Sequence, residues 1–135
     1  MLITILAHII VALGVAALAA LIATMVISTV KCLVDLIGKK LKDKFGGKII
    51  VGQVRKLCEE AAKEAEKRGN IKSFEELTKM AEEDGVFIAT SDSRGNIDEK
   101  DIKIYHYGEN RQETLKIQNF LNQNMGQEEV MVIGC

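Results

Sequence analysis

The chain has no proline among its 135 residues, so nothing obvious kinks a helix. The common catalytic signatures are missing too. There is no Walker phosphate loop, no Gly-x-Gly-x-x-Gly, no His-Glu-x-x-His and no Gly-x-Ser-x-Gly. His106 with Cys58 or Cys135 would make a nucleophile–base pair only if the fold joined them, and nothing in their spacing does so. The reading is therefore not an enzyme. Cysteine is scarce: Cys32, Cys58 and Cys135 are an odd number without metal-ligand spacing. That argues against a disulfide framework and against a zinc site, and no metal or cofactor is expected. The loop from Asp92 to Asp98 fails as a calcium loop, because Gly95 stands fourth from Asp92 where an EF-hand needs it sixth.

The largest absence is of charge. From Leu2 to Val30 there is no Lys, Arg, Asp or Glu, and His8 is the one strongly polar side chain. About 20 apolar residues cross a hydrocarbon core of about 30 Å, so residues 1–30 read as a transmembrane helix, long enough to tilt. A buried helix would need the rest of the chain to cover it on every side. A signal peptide would begin with basic residues and have a shorter apolar run. The expectation is an uncleaved, single-pass anchor in the lipid bilayer.

The segment after the run is basic. Lys31, Lys39, Lys40, Lys42, Lys44 and Lys48 face only Asp35 and Asp43, which predicts the N-terminus outside and the C-terminal domain cytoplasmic. Residues 31–48 read as an amphipathic juxtamembrane helix ending in a Gly46-Gly47 hinge. Its lysines Lys39, Lys40, Lys42 and Lys44 either touch the membrane surface or simply signal topology. The remainder, residues 49–135, carries more carboxylates than basic groups, which speaks against binding a DNA or RNA duplex.

Periodicity predicts a cytoplasmic α+β domain, α-α-β-β-α-β, with a three-stranded mixed sheet. Ile50, Val54, Leu57, Cys58, Ala61 and Ala65 mark the apolar face of a helix over 49–68. Ser73 opens a second helix as a capping box with Phe74, Leu77, Met80 and Ala81 inward. Strands over 86–90 and 102–107 form an antiparallel hairpin, the second with Ile102, Ile104 and His106 on one face. Asn110 opens a helix to about Asn124. The last strand, 130–133, is expected parallel to the second through a right-handed crossover.

Two patterns point to function. Small residues Ala12, Ala16, Ala20 and Ala23 recur on one stripe with His8, the spacing by which membrane helices associate. His8 faces either that contact, and with it a pore, or the outer headgroups. In the domain, the end of a strand that leads into a helix is the default place for a small anionic or nucleotide-like ligand. Here that is Tyr105, Tyr107, Gly108, Asn110 and Arg111, although a capped helix beside surface tyrosines explains the same residues. Together these features predict a homo-oligomeric single-pass membrane protein, assembled through its membrane helix, whose cytoplasmic sensor domain regulates a helix bundle, a pore-forming or channel-like effector. The alternative is a membrane-anchored adaptor whose acidic domain binds another protein.

Overall fold

The computed structural model describes residues 2–13, 22–43, 47–82, 85–126 and 129–134. In chain order these form α1 (Leu2–Leu13), β1 (Ile22–Ile27), α2 (Val30–Asp43), β2 (Lys48–Gln53), α3 (Val54–Lys67), α4 (Ile71–Met80), β3 (Gly85–Ser91), β4 (Ile97–Tyr107), α5 (Arg111–Asn124) and β5 (Met131–Gly134). The five strands make one mixed sheet in the order β1-β4-β3-β2-β5. β1 runs parallel to β4, and every other neighbouring pair is antiparallel.

This arrangement overturns the membrane reading. Among the described residues no helix is long and apolar enough to cross a membrane. The charge-free run is divided: α1 has 12 residues, about 18 Å of helix, and Ile22–Ile27 is a strand paired with β4. Hydropathy alone does not separate a buried helix or strand from a spanning segment, because all three are apolar runs. A single-pass helix with a separate three-stranded domain is thus replaced by one α+β unit in which the run supplies both a packed helix and a strand. With no spanning helix among the described residues, the lysines after residue 30 set no membrane orientation, and the assignment of a cytoplasmic side falls with it.

Helices cover both faces of the sheet. On one face, Ile3, Leu6, Ala7, Ile10 and Val11 of α1 share a core with Leu57, Cys58, Ala61, Ala62 and Ala65 of α3, Leu77 of α4, and Ile50, Phe87, Ile102 and Ile104 of the sheet. The alanines of α3 let α1 approach closely, as an alanine-rich helix face permits. On the other face, Leu33 and Ile37 of α2 and Ile117 and Leu121 of α5 pack on Ile27, Ile49, Val51, Val86, Ile88 and Tyr105. The alternation along β4 is thus as expected for Ile102 and Ile104, with Tyr105 turned to the opposite core.

Several element boundaries move. Ile49–Gln53 is strand, and the helix begins at Val54. Ile49, Ile50 and Val51 are all buried because β2 lies inside the sheet with a core on either side. Such a strand loses the alternation that would have marked it. Asn70, not Ser73, caps α4: its side chain accepts the Ser73 N–H at 3.1 Å, and Ser73 itself is buried. β5 pairs antiparallel with β2. It therefore runs opposite to β4, and the expected parallel crossover does not form. The parallel neighbour of β4 is β1, drawn from the run assigned to the membrane.

Candidate functional site

β1 and β4 end side by side, with Ile27 opposite Tyr107. The Gly108 N–H donates to the Ile27 carbonyl at 3.1 Å. A Cβ at Gly108 would come within 3.3 Å of Ser28, so the close approach of the two strand ends suits glycine. Each strand leads into a 14-residue helix, α2 and α5. Both helices lie on the same sheet face, so two positive helix ends stand next to each other.

Beyond β4 a cleft of about 420 Å³ opens, lined by Tyr107, Gly108, Glu109, Arg111, Thr114, Leu115 and Gln118. Of the residues named from the sequence, the structure places Tyr107, Gly108 and Arg111 together in this cleft. Tyr105 and Asn110 do not line the cleft. Tyr105 is only 5% exposed and belongs to the core, and burial raises its phenol pKa. Asn110 is the α5 cap: its Oδ1 accepts the N–H groups of Gln112 at 3.0 Å and Glu113 at 3.3 Å. That cap occupies amides an anion would otherwise use. The Thr114 hydroxyl donates to the Asn110 carbonyl at 3.1 Å, which holds it at the cleft wall.

Glu109 belongs to the same strand-end stretch as Gly108 and Asn110, whereas Thr114, Leu115 and Gln118 were not anticipated. The signal for these three was available. Positions 111, 114, 115 and 118 lie one above another on a helix, so a helix starting at Arg111 carries that whole face into the cleft. The lining therefore offers one guanidinium, one carboxylate, a hydroxyl, an amide, an aromatic ring and Leu115, which is 51% exposed.

The other candidates are dispersed. His8 is on the outer face of α1, with Nε2 3.1 Å from Glu64 Oε2 of α3, while Arg68 Nε donates to Glu64 Oε1 at 2.9 Å. The Arg68 hydrogen bond, with the charge of His8 behind it, holds the Glu64 carboxyl below the usual range. His8 thus helps fasten α1 to α3. Ala12 is exposed on α1, Ala23 falls in β1, and Ala16 and Ala20 lie outside the described residues. Lys39, Lys40 and Lys42 sit on α2, and Lys44 lies outside the described residues, as does Gly46. Gly47 is packed against the Ser91 carbonyl, and the neighbouring Lys48 N–H donates to Ser91 Oγ at 3.0 Å. Cys58 is buried in the α3 core face and His106 is at the end of β4.

The hairpin loop after β3 is a closed polar turn. Asp92 Oδ1 accepts the N–H groups of Arg94 and Asn96, both at 2.9 Å, and Gly95 has φ of 85°. These bonds lower the Asp92 pKa, that from Asn96 most. Among the described residues no group of three or more His, Cys, Asp or Glu is placed to hold a metal ion. No family model matches the chain, and no curated protein or solved structure matches it either.

Proposed function

We propose that this chain is a ligand-binding regulatory domain that takes a small anionic, nucleotide-like molecule in the cleft beyond β4, and that it works by binding rather than by catalysis. The observation that carries this reading is the composition of one concave site. Arg111 supplies a planar, permanently charged donor for a phosphate or carboxylate. Glu109, at the same site, accepts from hydroxyl or amine donors and so favours a ligand that carries both an anion and donors, as a nucleotide does. Tyr107 and Leu115 offer apolar surface to a ring. A volume of about 420 Å³ falls within the range of pockets for small ligands. The paired positive ends of α2 and α5 add a field of the right sign.

The test is a thermal-shift and calorimetric screen of the intact chain against nucleoside mono-, di- and triphosphates, with inorganic phosphate alone as the simplest probe. A bound nucleotide raises the melting temperature. Arg111→Ala weakens it about tenfold or more, the usual loss for a charge-assisted hydrogen bond, and Glu109→Gln alters the preference among nucleotides. Equal affinity of wild type and Arg111→Ala, or no shift with any anion, refutes the proposal. The exposure of Leu115 favours one other reading, in which a protein partner covers the same cleft. Leu115→Ser separates them, since it removes the apolar side chain that a protein contact would cover and adds no charge beside Arg111, where inorganic phosphate still binds.

A further inference from the structure

A second concavity lies along α2, away from the ligand cleft. It has a volume of about 420 Å³ and is lined by Thr29, Lys31, Cys32, Asp35, Leu36 and Lys39. Its geometry comes from helix periodicity. Lys31, Asp35 and Lys39 are four residues apart and all exposed, so they form one ridge along the outer face. Cys32 and Leu36, each one position further on, are partly buried and form the apolar floor beside that ridge. The groove is firmly placed. Thr29 Oγ1 accepts the Cys32 N–H at 3.0 Å and so caps the helix at its head, and Leu33 and Ile37 anchor the inner face in the core. The helix is also the most basic element of a chain whose formal net charge is -1: it carries Lys31, Lys39, Lys40 and Lys42 against Asp35 and Asp43.

We infer that this groove binds an acidic peptide segment of a partner protein, in extended form, with one apolar side chain between two carboxylates. The spacing argues for that pattern. Lys31 and Lys39 are eight residues apart, about 12 Å along a helix axis. An extended peptide covers nearly that distance in four residues, about 13 Å, and its residues i, i+2 and i+4 all point to one face. Carboxylates at i and i+4 therefore reach Lys31 and Lys39, and an apolar residue at i+2 meets Leu36 and Cys32. Asp35, midway along the ridge, faces the peptide backbone, where it accepts an N–H and disfavours a central acid. The charge complementarity selects an acidic partner, and the concave floor selects a side chain over a flat anionic surface. A bilayer resting on the lysine ridge would leave that floor unfilled.

The probe is a fluorescein-labelled peptide Gly-Glu-Ala-Leu-Ala-Glu-Gly, titrated with the intact chain and read by fluorescence anisotropy. Saturable binding is expected, weakened in about 0.5 M salt because the pairs are exposed. A peptide with serine for leucine, or with glutamine for both glutamates, should bind at least about fivefold more weakly. The variant Lys31→Glu/Lys39→Glu should lose the acidic peptide and gain the matching Gly-Lys-Ala-Leu-Ala-Lys-Gly peptide. That gain of binding is a result an unfolded variant does not give. The inference is overturned if wild type does not bind the peptide, or if the serine peptide binds as well as the leucine one. It is also overturned if the chain ignores the peptide and sediments with phosphatidylserine vesicles. Arg111→Ala must leave peptide binding unchanged, so this test stands or falls apart from the nucleotide screen.

Discussion

Gly52→Ala should destabilise the fold through a single buried contact. Gly52 lies in β2, between β3 and β5, with Phe87 directly opposite on β3. A Cβ at position 52 would come 2.7 Å from Phe87 Cε1 and 2.8 Å from Cζ, with Val130 Cγ1 at 3.3 Å on another side. Carbon atoms in good contact sit about 3.5–4.0 Å apart, so the added methyl intrudes by nearly 1 Å. Phe87 is fully buried among Ile50, Ile104 and the helices, so its ring has no open space to enter. Backbone movement is resisted by the ladders on either side of β2. Overpacking of this kind costs about 1–3 kcal/mol, against about 0.4–1 kcal/mol gained when alanine replaces glycine in the unfolded chain. The net expectation is a loss of about 1–2 kcal/mol. Urea unfolding measures it as a lower midpoint with an unchanged slope, and heating as a melting point lower by several degrees. Trimming the ring supplies the control. Phe87→Leu alone leaves a cavity and destabilises, but the added methyl occupies part of that space, so the double variant should lose less than the sum of the singles. An alanine variant as stable as wild type, or single and double variants additive within about 0.5 kcal/mol, would refute the idea that these two residues share one filled volume.

Three further outcomes are expected. Glu129 has φ of 58°, a left-handed conformation that costs a residue with a Cβ about 1 kcal/mol, so Glu129→Gly should raise the urea midpoint; the exposed Lys56 contact at 3.9 Å is too weak to cancel the gain. Asp92 and Glu64 have carboxyl pKa values lowered in the folded chain. Their stabilisation is full above the ordinary carboxylate pKa of about 4 and is lost as the pH falls through the lowered values. Asp92→Asn keeps the Oδ1 acceptor of the two backbone N–H groups but removes the titrating carboxyl, and should flatten the acid limb of a stability–pH curve; an unchanged limb would refute the linkage. Tyr105, raised by burial, acts with the opposite sign. Its contribution is present below about pH 10 and lost as the phenol ionises above it, so Tyr105→Phe should resist alkaline unfolding better than wild type.

The residues that were legible in the sequence share a feature: their signal is local. The polar turn at Asp92–Asn96, the cap at Asn110, the helix from Val54 onward and the alternation at Ile102 and Ile104 all depend on neighbours within a few positions. The cleft residues Tyr107, Gly108 and Arg111 were legible for the same reason, because a strand end and a helix start adjoin in the chain. β2 was not legible, because a strand buried on both faces carries no alternation. The antiparallel course of β5 was not legible either, since its partner β2 is some 80 residues earlier in the chain, far beyond any local pattern.

By itself the sequence determined composition and local form: an uncharged N-terminal run, a basic helix after it, an acidic remainder, and most of the helix and strand types. Only the tertiary structure decided what the apolar run is for. Apolarity states that a segment avoids water and leaves open whether lipid or protein covers it. Here α1 finds its cover on the alanine face of α3, and Ile22–Ile27 finds its hydrogen bonds on β4. That same pairing sets the ends of β1 and β4 together and so makes the place where Arg111 and Tyr107 meet.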